Sequence, residues 1–129
     1  VKHYRLEKHW QLLFTRCAVK GNQGIITLRV LVDTGSTYTI MPIEALEAIG
    51  YNPVGSKNKV RITTASGYVV APKIKVDSLN IFGKEIKSRA IVCYTLPEGI
   101  YADGIVGMDL LTELRAVIDI KNSSIQIMS

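Results

Sequence analysis

An all-β fold, closed and barrel-like with one or two short helices, is what the sequence predicts, and three observations point to it. Stretches rich in Val, Ile, Thr and Tyr recur at short intervals and alternate apolar with polar residues, the period of a half-buried strand. Turn-forming Gly, Asn and Ser residues separate them. Helical periodicity appears in only two brief stretches. At 129 residues, 47% of them hydrophobic, the chain suffices for one domain with a buried core and is too apolar for disorder. Residues 1–10 read as a basic N-terminal arm of that domain, and no repeat or low-complexity run interrupts it.

Taken in order, Trp10 to Val19 alternates as a strand with Leu13, Thr15, Cys17 and Val19 on one side. The turn Gly21-Asn22-Gln23-Gly24 returns it as Ile25 to Val32, completing a hairpin. Ile26, Leu28, Val30 and Val32 share one face of the second strand, while Ile25, Thr27, Arg29, Leu31 and then Asp33 continue the other. Tyr38 to Met41 is extended. Pro42 suits the first position of a helix, Glu44 its positive end, and Ile43, Leu46 and Ile49 give it an apolar side, until Gly50 ends it. Asn52 to Asn58 reads as a loop. Val60 to Thr64 and Tyr68 to Val76 form a second hairpin with Ser66-Gly67 at its tip. Its second arm continues through Leu79, because Ile74, Val76 and Leu79 alternate with Lys73, Lys75 and Asp77. The segment from Ile81 to Ile86, around Phe82-Gly83, is a tight turn, and Ala90 to Tyr94 is apolar enough for a central strand. Leu96 to Ala102 is a loop. Ile105-Val106 is a short buried strand and Gly107 a helix start, with Asp109 near the helix's positive end and Leu110, Leu111 and Leu114 facing inward. Ala116 to Ile120 and Ser124 to Met128, joined across Lys121-Asn122-Ser123, close the chain as a terminal pair.

The net charge of +5 is concentrated at the front, where five basic residues through Lys20 face a single acid, Glu7. Scattered in this way they make a solvated face, and no aromatic residues interleave with them as on RNA-binding sheets, so nucleic acid is not the expected partner. No apolar run approaches the roughly 18 residues of a membrane span, and no signal peptide opens the chain. A cytoplasmic location is favoured. Because the chain begins at Val1 rather than Met, a membrane-anchored parent protein is the alternative. Cys17 and Cys93 lie in apolar strands, where a buried free thiol is the default. His3 and His9 have no carboxylate or cysteine at ligand spacing, so no metal site is expected.

The chemistry is concentrated at Leu31-Val32-Asp33-Thr34-Gly35-Ser36. A strand delivers a carboxylate into a tight turn built of residues that hydrogen-bond locally or admit a close backbone. By itself such a tetrapeptide is compatible with a surface turn. A second acid-and-glycine stretch, Asp103-Gly104-Ile105-Val106-Gly107-Met108-Asp109-Leu110-Leu111, lies far downstream. With both motifs, the chain from about Phe14 to Met128 resembles the single-domain retropepsin-like aspartic proteases, in the cellular and prokaryotic pattern with Gly-Met-Asp. Retroviral members usually carry an acid two positions after the first motif's glycine and an arginine after the second's. Thr37 and Met108 stand there instead, so that ion pair is missing.

The resemblance implies an acid-protease barrel and an aspartic endopeptidase with Asp33 as catalytic residue. It implies Thr34, Gly35 and Ser36 as the active-site loop, Thr34 bonding across a dimer axis and Ser36 able to donate to the carboxylate. Ala65, Ser66, Gly67 and Tyr68 would form a flap over substrate, and Ile105, Val106 and Gly107 would support the loop. Such hydrolysis uses two carboxylates sharing a proton, and the chain has one Asp-Thr-Gly, so the partner implied is a second copy of itself in a two-fold homodimer. The substrate is a polypeptide with apolar side chains around the cut, hydrolysed in mildly acidic conditions, and no metal or organic cofactor is required. The alternative is a catalytically inactive peptide-binding or dimerisation module of the same fold.

Overall fold

The computed structural model describes residues 1–128. The strands are β1 (Lys2–Arg5), β2 (Glu7–His9), β3 (Leu12–Gly21), β4 (Gly24–Val32), β5 (Ile40–Met41), β6 (Lys59–Thr64), β7 (Gly67–Ile81), β8 (Lys84–Cys93), β9 (Gly104–Val106), β10 (Val117–Asp119) and β11 (Ser124–Ile127). Helix α1 (Ile43–Ala48) follows β5, α2 (Met108–Glu113) follows β9, and a single 3-10 turn occupies Pro53–Gly55.

The sheet is not the closed barrel expected from the sequence. Eight strands run in the order β2-β3-β4-β9-β5-β8-β7-β6 between two edge strands, and β1, β11 and β10 stand apart as a second sheet. The long strands do fold over enough for Ala18–Lys20 of β3 to pair with Ser78–Asn80 of β7, but that ladder is only three residue pairs long. The middle is equally thin, since the two-residue β5 meets β9 at the single pair Ile40↔Ile105. The sheet ends at β2 on one side and β6 on the other, which do not pair with each other as the first and last strands of a closed barrel would.

The first hairpin is in the expected register, Gly21 opposite Gly24, with Asn22 and Gln23 as its two-residue turn. Alternation places Leu28 and Val30 in the core while Ile25 and Thr27 face solvent. The first strand starts at Leu12 rather than Trp10. Trp10 takes a positive φ of 56° in the turn that joins β2 to β3. Phe14, on the opposite face from Cys17 and Val19, is buried as well, with its ring edge-on to Tyr101 at 5.5 Å between centroids.

The basic arm forms strands: β1 pairs with β11 and β2 with β3, anchored between them by buried Leu6. Leu46, Ile49, Leu110, Leu111 and Leu114 from the helical segments pack with Leu28, Val30, Val76 and Leu79 from the large sheet and Ile125 and Ile127 from the small one in one hydrophobic cluster. Burial of these apolar side chains is the main stabilising contribution to the fold. Strand β7 serves two ladders. Gly67–Pro72 pairs with β6 in a projecting hairpin, and Lys73–Ile81 continues along β8 in the body. The turn of that hairpin is Ala65-Ser66, one residue earlier than expected, because Gly67, at φ 130°, already pairs with Thr64.

Candidate functional site

Parallel pairing of β4 with β9 brings the two sequence motifs together, Leu31 beside Ile105 and Val32 beside Val106. The ladder extends one residue further, where Asp33 N–H donates to the Val106 carbonyl at 3.0 Å. The chain then turns. Ser36 N–H donates to the Asp33 carbonyl at 3.2 Å, and Gly35 N–H donates to Asp33 Oδ1 at 2.9 Å. A backbone donor two residues on thus fixes one carboxylate oxygen of a half-exposed acid. A Cβ on Gly35 would lie 3.2 Å from that oxygen, so the small residue keeps the carboxylate unobstructed.

The second motif buttresses this loop. Gly107 packs so closely that a Cβ there would lie 2.4 Å from the Tyr38 carbonyl oxygen and 2.8 Å from that of Ser36. Past it, Met108 N–H donates to Ser36 O at 2.7 Å and Asp109 N–H to Thr37 O at 3.2 Å, so the start of α2 holds the loop by backbone bonds. Thr37 and Met108 are therefore neighbours, joined through main-chain bonds of their segments and not through an ion pair. Beneath lies a buried polar lock. Thr39 donates through N and Oγ1 to the two Asp109 oxygens at 3.0 and 2.7 Å, while its hydroxyl accepts from Gly107 N–H at 3.2 Å. Asp109 Oδ1 also accepts from Leu110 N–H at 2.8 Å.

Asp33 opens onto a cleft of about 550 Å³. Its floor and walls include Gly35, Ser36, Tyr38, Ile40, Tyr94, Leu96 and Ile105, and its far side is Arg61, Ile62, Thr63, Thr64 and Val69 from the β6–β7 hairpin. Of the residues singled out from sequence, Asp33, Gly35, Ser36 and Ile105 share this cleft. Val106 is buried behind it and Gly107 is wedged beneath the loop. Thr34 lies elsewhere, lining a shallow depression with Lys8, Leu12, Val32 and Ile120. Ala65, Ser66, Gly67 and Tyr68 are exposed at the hairpin end and do not line the cleft; the hairpin's arms do. Ser36 Oγ donates to the Tyr38 carbonyl at 2.8 Å, not to the Asp33 carboxylate as expected, because the turn carries the side chain towards the following residues.

Sequence reading missed the Thr39–Asp109 lock and the lining roles of Arg61, Tyr94 and Leu96. Asp109 gave a signal as an acid in the first turn of a helix, but its partner is 70 residues away and no local pattern marks it. Asp103 is likewise structural. Its Oδ2 accepts from Arg29 N–H at 2.9 Å and its own N–H donates to Arg29 O at 2.8 Å, docking the segment onto β4. Among the described residues no group of three or more His, Cys, Asp or Glu side chains is arranged to hold a metal ion. Nor, among the described residues, is any helix long and apolar enough to cross a membrane.

The fold is shared with known proteases. A retropepsin-like aspartic protease from Rickettsia conorii aligns with a TM-score of 0.72 at 21% identity, over 96% of this chain and 88% of that one. The EIAV protease, solved with an inhibitor bound, aligns with a TM-score of 0.62 at 24% identity, over 90% of this chain and 97% of that one. No curated protein matches the sequence significantly. A family model described as "gag-polyprotein putative aspartyl protease" matches residues 18–113, a span that contains both motifs and the hairpin over the cleft. The chain therefore belongs to this gag-type aspartyl protease family and has the retropepsin-like fold.

Proposed function

We propose that the protein is an aspartic endopeptidase whose active site forms between two copies of the chain, each contributing Asp33. The observation that carries this reading is the Asp33 carboxylate itself, presented at a strand end into a cleft of about 550 Å³ whose opposite wall is a β-hairpin. No other carboxylate lines that cleft. Hydrolysis requires a second one, and a two-fold axis beside Asp33 supplies it. Thr34 and its surroundings favour such an axis: Leu12 is 41% and Ile120 78% exposed around it, an apolar surface that a second copy would cover.

In the paired site the two carboxylates hold one proton between them, since two like charges so close do not both ionise. The ionised member takes a proton from water as its oxygen attacks the peptide carbonyl carbon, and the protonated member donates to the carbonyl oxygen. The pair, still holding one proton, then gives it to the amide nitrogen while the other carboxylate takes a proton from a hydroxyl of the tetrahedral gem-diol, so that the C–N bond breaks, acid and amine leave, and the pair is again singly protonated. The backbone N–H of Gly35 fixes the orientation of its carboxylate in the cleft. Ile40, Ile62, Val69, Tyr94, Leu96 and Ile105 would receive apolar side chains, and the hairpin arms would bind the main chain of an extended substrate.

The second reading, a peptide-binding module without turnover, has its support in the lone carboxylate, which is all a single copy brings to the cleft. Sedimentation together with cleavage of a peptide library from mildly acidic to neutral pH separates the two. Cleavage by the wild type that is lost in Asp33→Asn while self-association persists supports the peptidase; equal inertness of both proteins supports the module.

A further inference from the structure

One cation in the cleft has no role in the proposed hydrolysis. Arg61 on β6 lines the cleft that contains Asp33, and its guanidinium sits 4.2 Å from the centroid of the Tyr68 ring across the hairpin. A cation held against an aromatic face keeps its charge and its outward hydrogen-bonding edge while losing mobility. Among the described residues Arg61 makes no ion pair; the arginines that do are Arg29 with Glu7 and Arg89 with Glu113. The surrounding stretch offers it no acid. From Ala48 to Val76 there is no Asp or Glu, whereas Lys57, Lys59, Arg61, Lys73 and Lys75 are all basic. Asp33 is the one carboxylate among the cleft's lining residues. The other walls mix apolar side chains such as Ile62 and Leu96 with the hydroxyls of Ser36, Thr37, Thr63 and Thr64, so an incoming cargo meets apolar subsites, neutral hydrogen-bonding groups and one positioned positive charge.

We propose that Arg61 is a specificity-determining residue that selects polypeptides carrying an acidic side chain a short distance from the apolar residues seated in the cleft. This rests on the cleft being the peptide site. A Glu or Asp carboxylate would accept hydrogen bonds from the free edge of the guanidinium in a space from which the bound peptide excludes part of the water, strengthening the pair relative to a fully exposed one. The contact is to a side chain outside the reacting bond and is made equally in ground and transition states, so it acts on KM more than on kcat.

The test uses binding as well as turnover. Asp33→Asn protein is titrated with fluorescent apolar peptides in Glu and Gln versions, the residue being scanned along both sides of the central pair. At one position or more, the Glu peptide is expected to bind about fivefold tighter at low salt, with the gap closing at high salt and absent in Asp33→Asn/Arg61→Gln. Arg61→Glu is expected to prefer Lys at that position. Arg61 is solvent-exposed, so these variants should fold as the parent does. Equal binding of Glu and Gln peptides at every position, no binding at all, or a preference that survives Arg61→Gln overturns the proposal. A Glu preference without wild-type cleavage rejects the peptidase reading alone; cleavage indifferent to Glu rejects the role of Arg61 alone.

Discussion

The loop around Asp33 depends on contacts that leave little room for substitution. Gly107→Ala would press a methyl group against two carbonyl oxygens, the nearer at 2.4 Å. Backbone must move to admit it, at a cost of about 2 kcal/mol or more, seen as a lower urea midpoint. Thr39→Val keeps the shape but removes a hydroxyl that donates to Asp109 and accepts from Gly107 N–H. Gly107 N–H is then left buried without a partner while Asp109 keeps only its backbone donors, so the change should destabilise by about 1–3 kcal/mol, whereas Thr39→Ser should recover most of the loss. The cysteines give a pH-dependent prediction. Burial pushes the Cys17 thiol from 9.0 up to about 12 and Cys93 up to about 11. The folded state favours the neutral thiols, so their contribution to stability is complete below pH 9.0, the unfolded value, and is lost as pH rises through about 11 and 12. Chemical denaturation at increasing pH should show that decline, attenuated in Cys17→Ala. At pH about 8, well below both folded values, a thiol reagent should label neither cysteine until the protein is unfolded.

Between elements, the contrast is between a packed body and a projecting hairpin. In the β6–β7 hairpin the residues from Thr63 to Tyr68 are all exposed, while further along the same strand β7 Val76, Leu79 and Ile81 are buried between β8 and β3. Amide hydrogen exchange should therefore be fast from Thr64 to Tyr68 and slow at Val76–Ile81, with a boundary near Pro72 where β7 changes ladders. A bound peptide should slow exchange in the hairpin alone, and uniform protection of the hairpin without ligand would argue against its being a mobile cover. Much at this scale was legible in the sequence. Alternation and turn residues located β3 to β7 to within about two residues because each half-buried strand carries its own period, whereas of β8 only the apolar end expected at Ala90 to Tyr94 was legible, the strand itself beginning at Lys84 directly after the Phe82-Gly83 turn. The arm was not legible: β1 and β2 are short and charged and pair with partners that no local pattern identifies, β1 with the far end of the chain. The hairpin tip was displaced by one residue because Ser66-Gly67 and Ala65-Ser66 are both acceptable turns, and cross-strand register chose between them.

At the scale of the whole molecule, barrel closure could not be read from strand content, since it depends on how strands align at the margins. The sheet ends at the edge strands β2 and β6 instead of joining them, and sequence periodicity gave no warning of it. The two motifs, by contrast, were legible as a unit: β4 and β9 lie side by side, and the glycine of one is wedged under the loop of the other. What a single copy cannot supply is a second carboxylate in the cleft, so the central claim concerns assembly. It is tested most directly by measuring peptide cleavage in re-equilibrated mixtures of wild type and Asp33→Asn at constant total concentration. If each site takes one Asp33 from each of two chains, activity follows the square of the wild-type fraction and an equal mixture retains about one quarter. Activity that falls in direct proportion, leaving about one half in the equal mixture, would mean that each chain acts alone and would contradict the shared site.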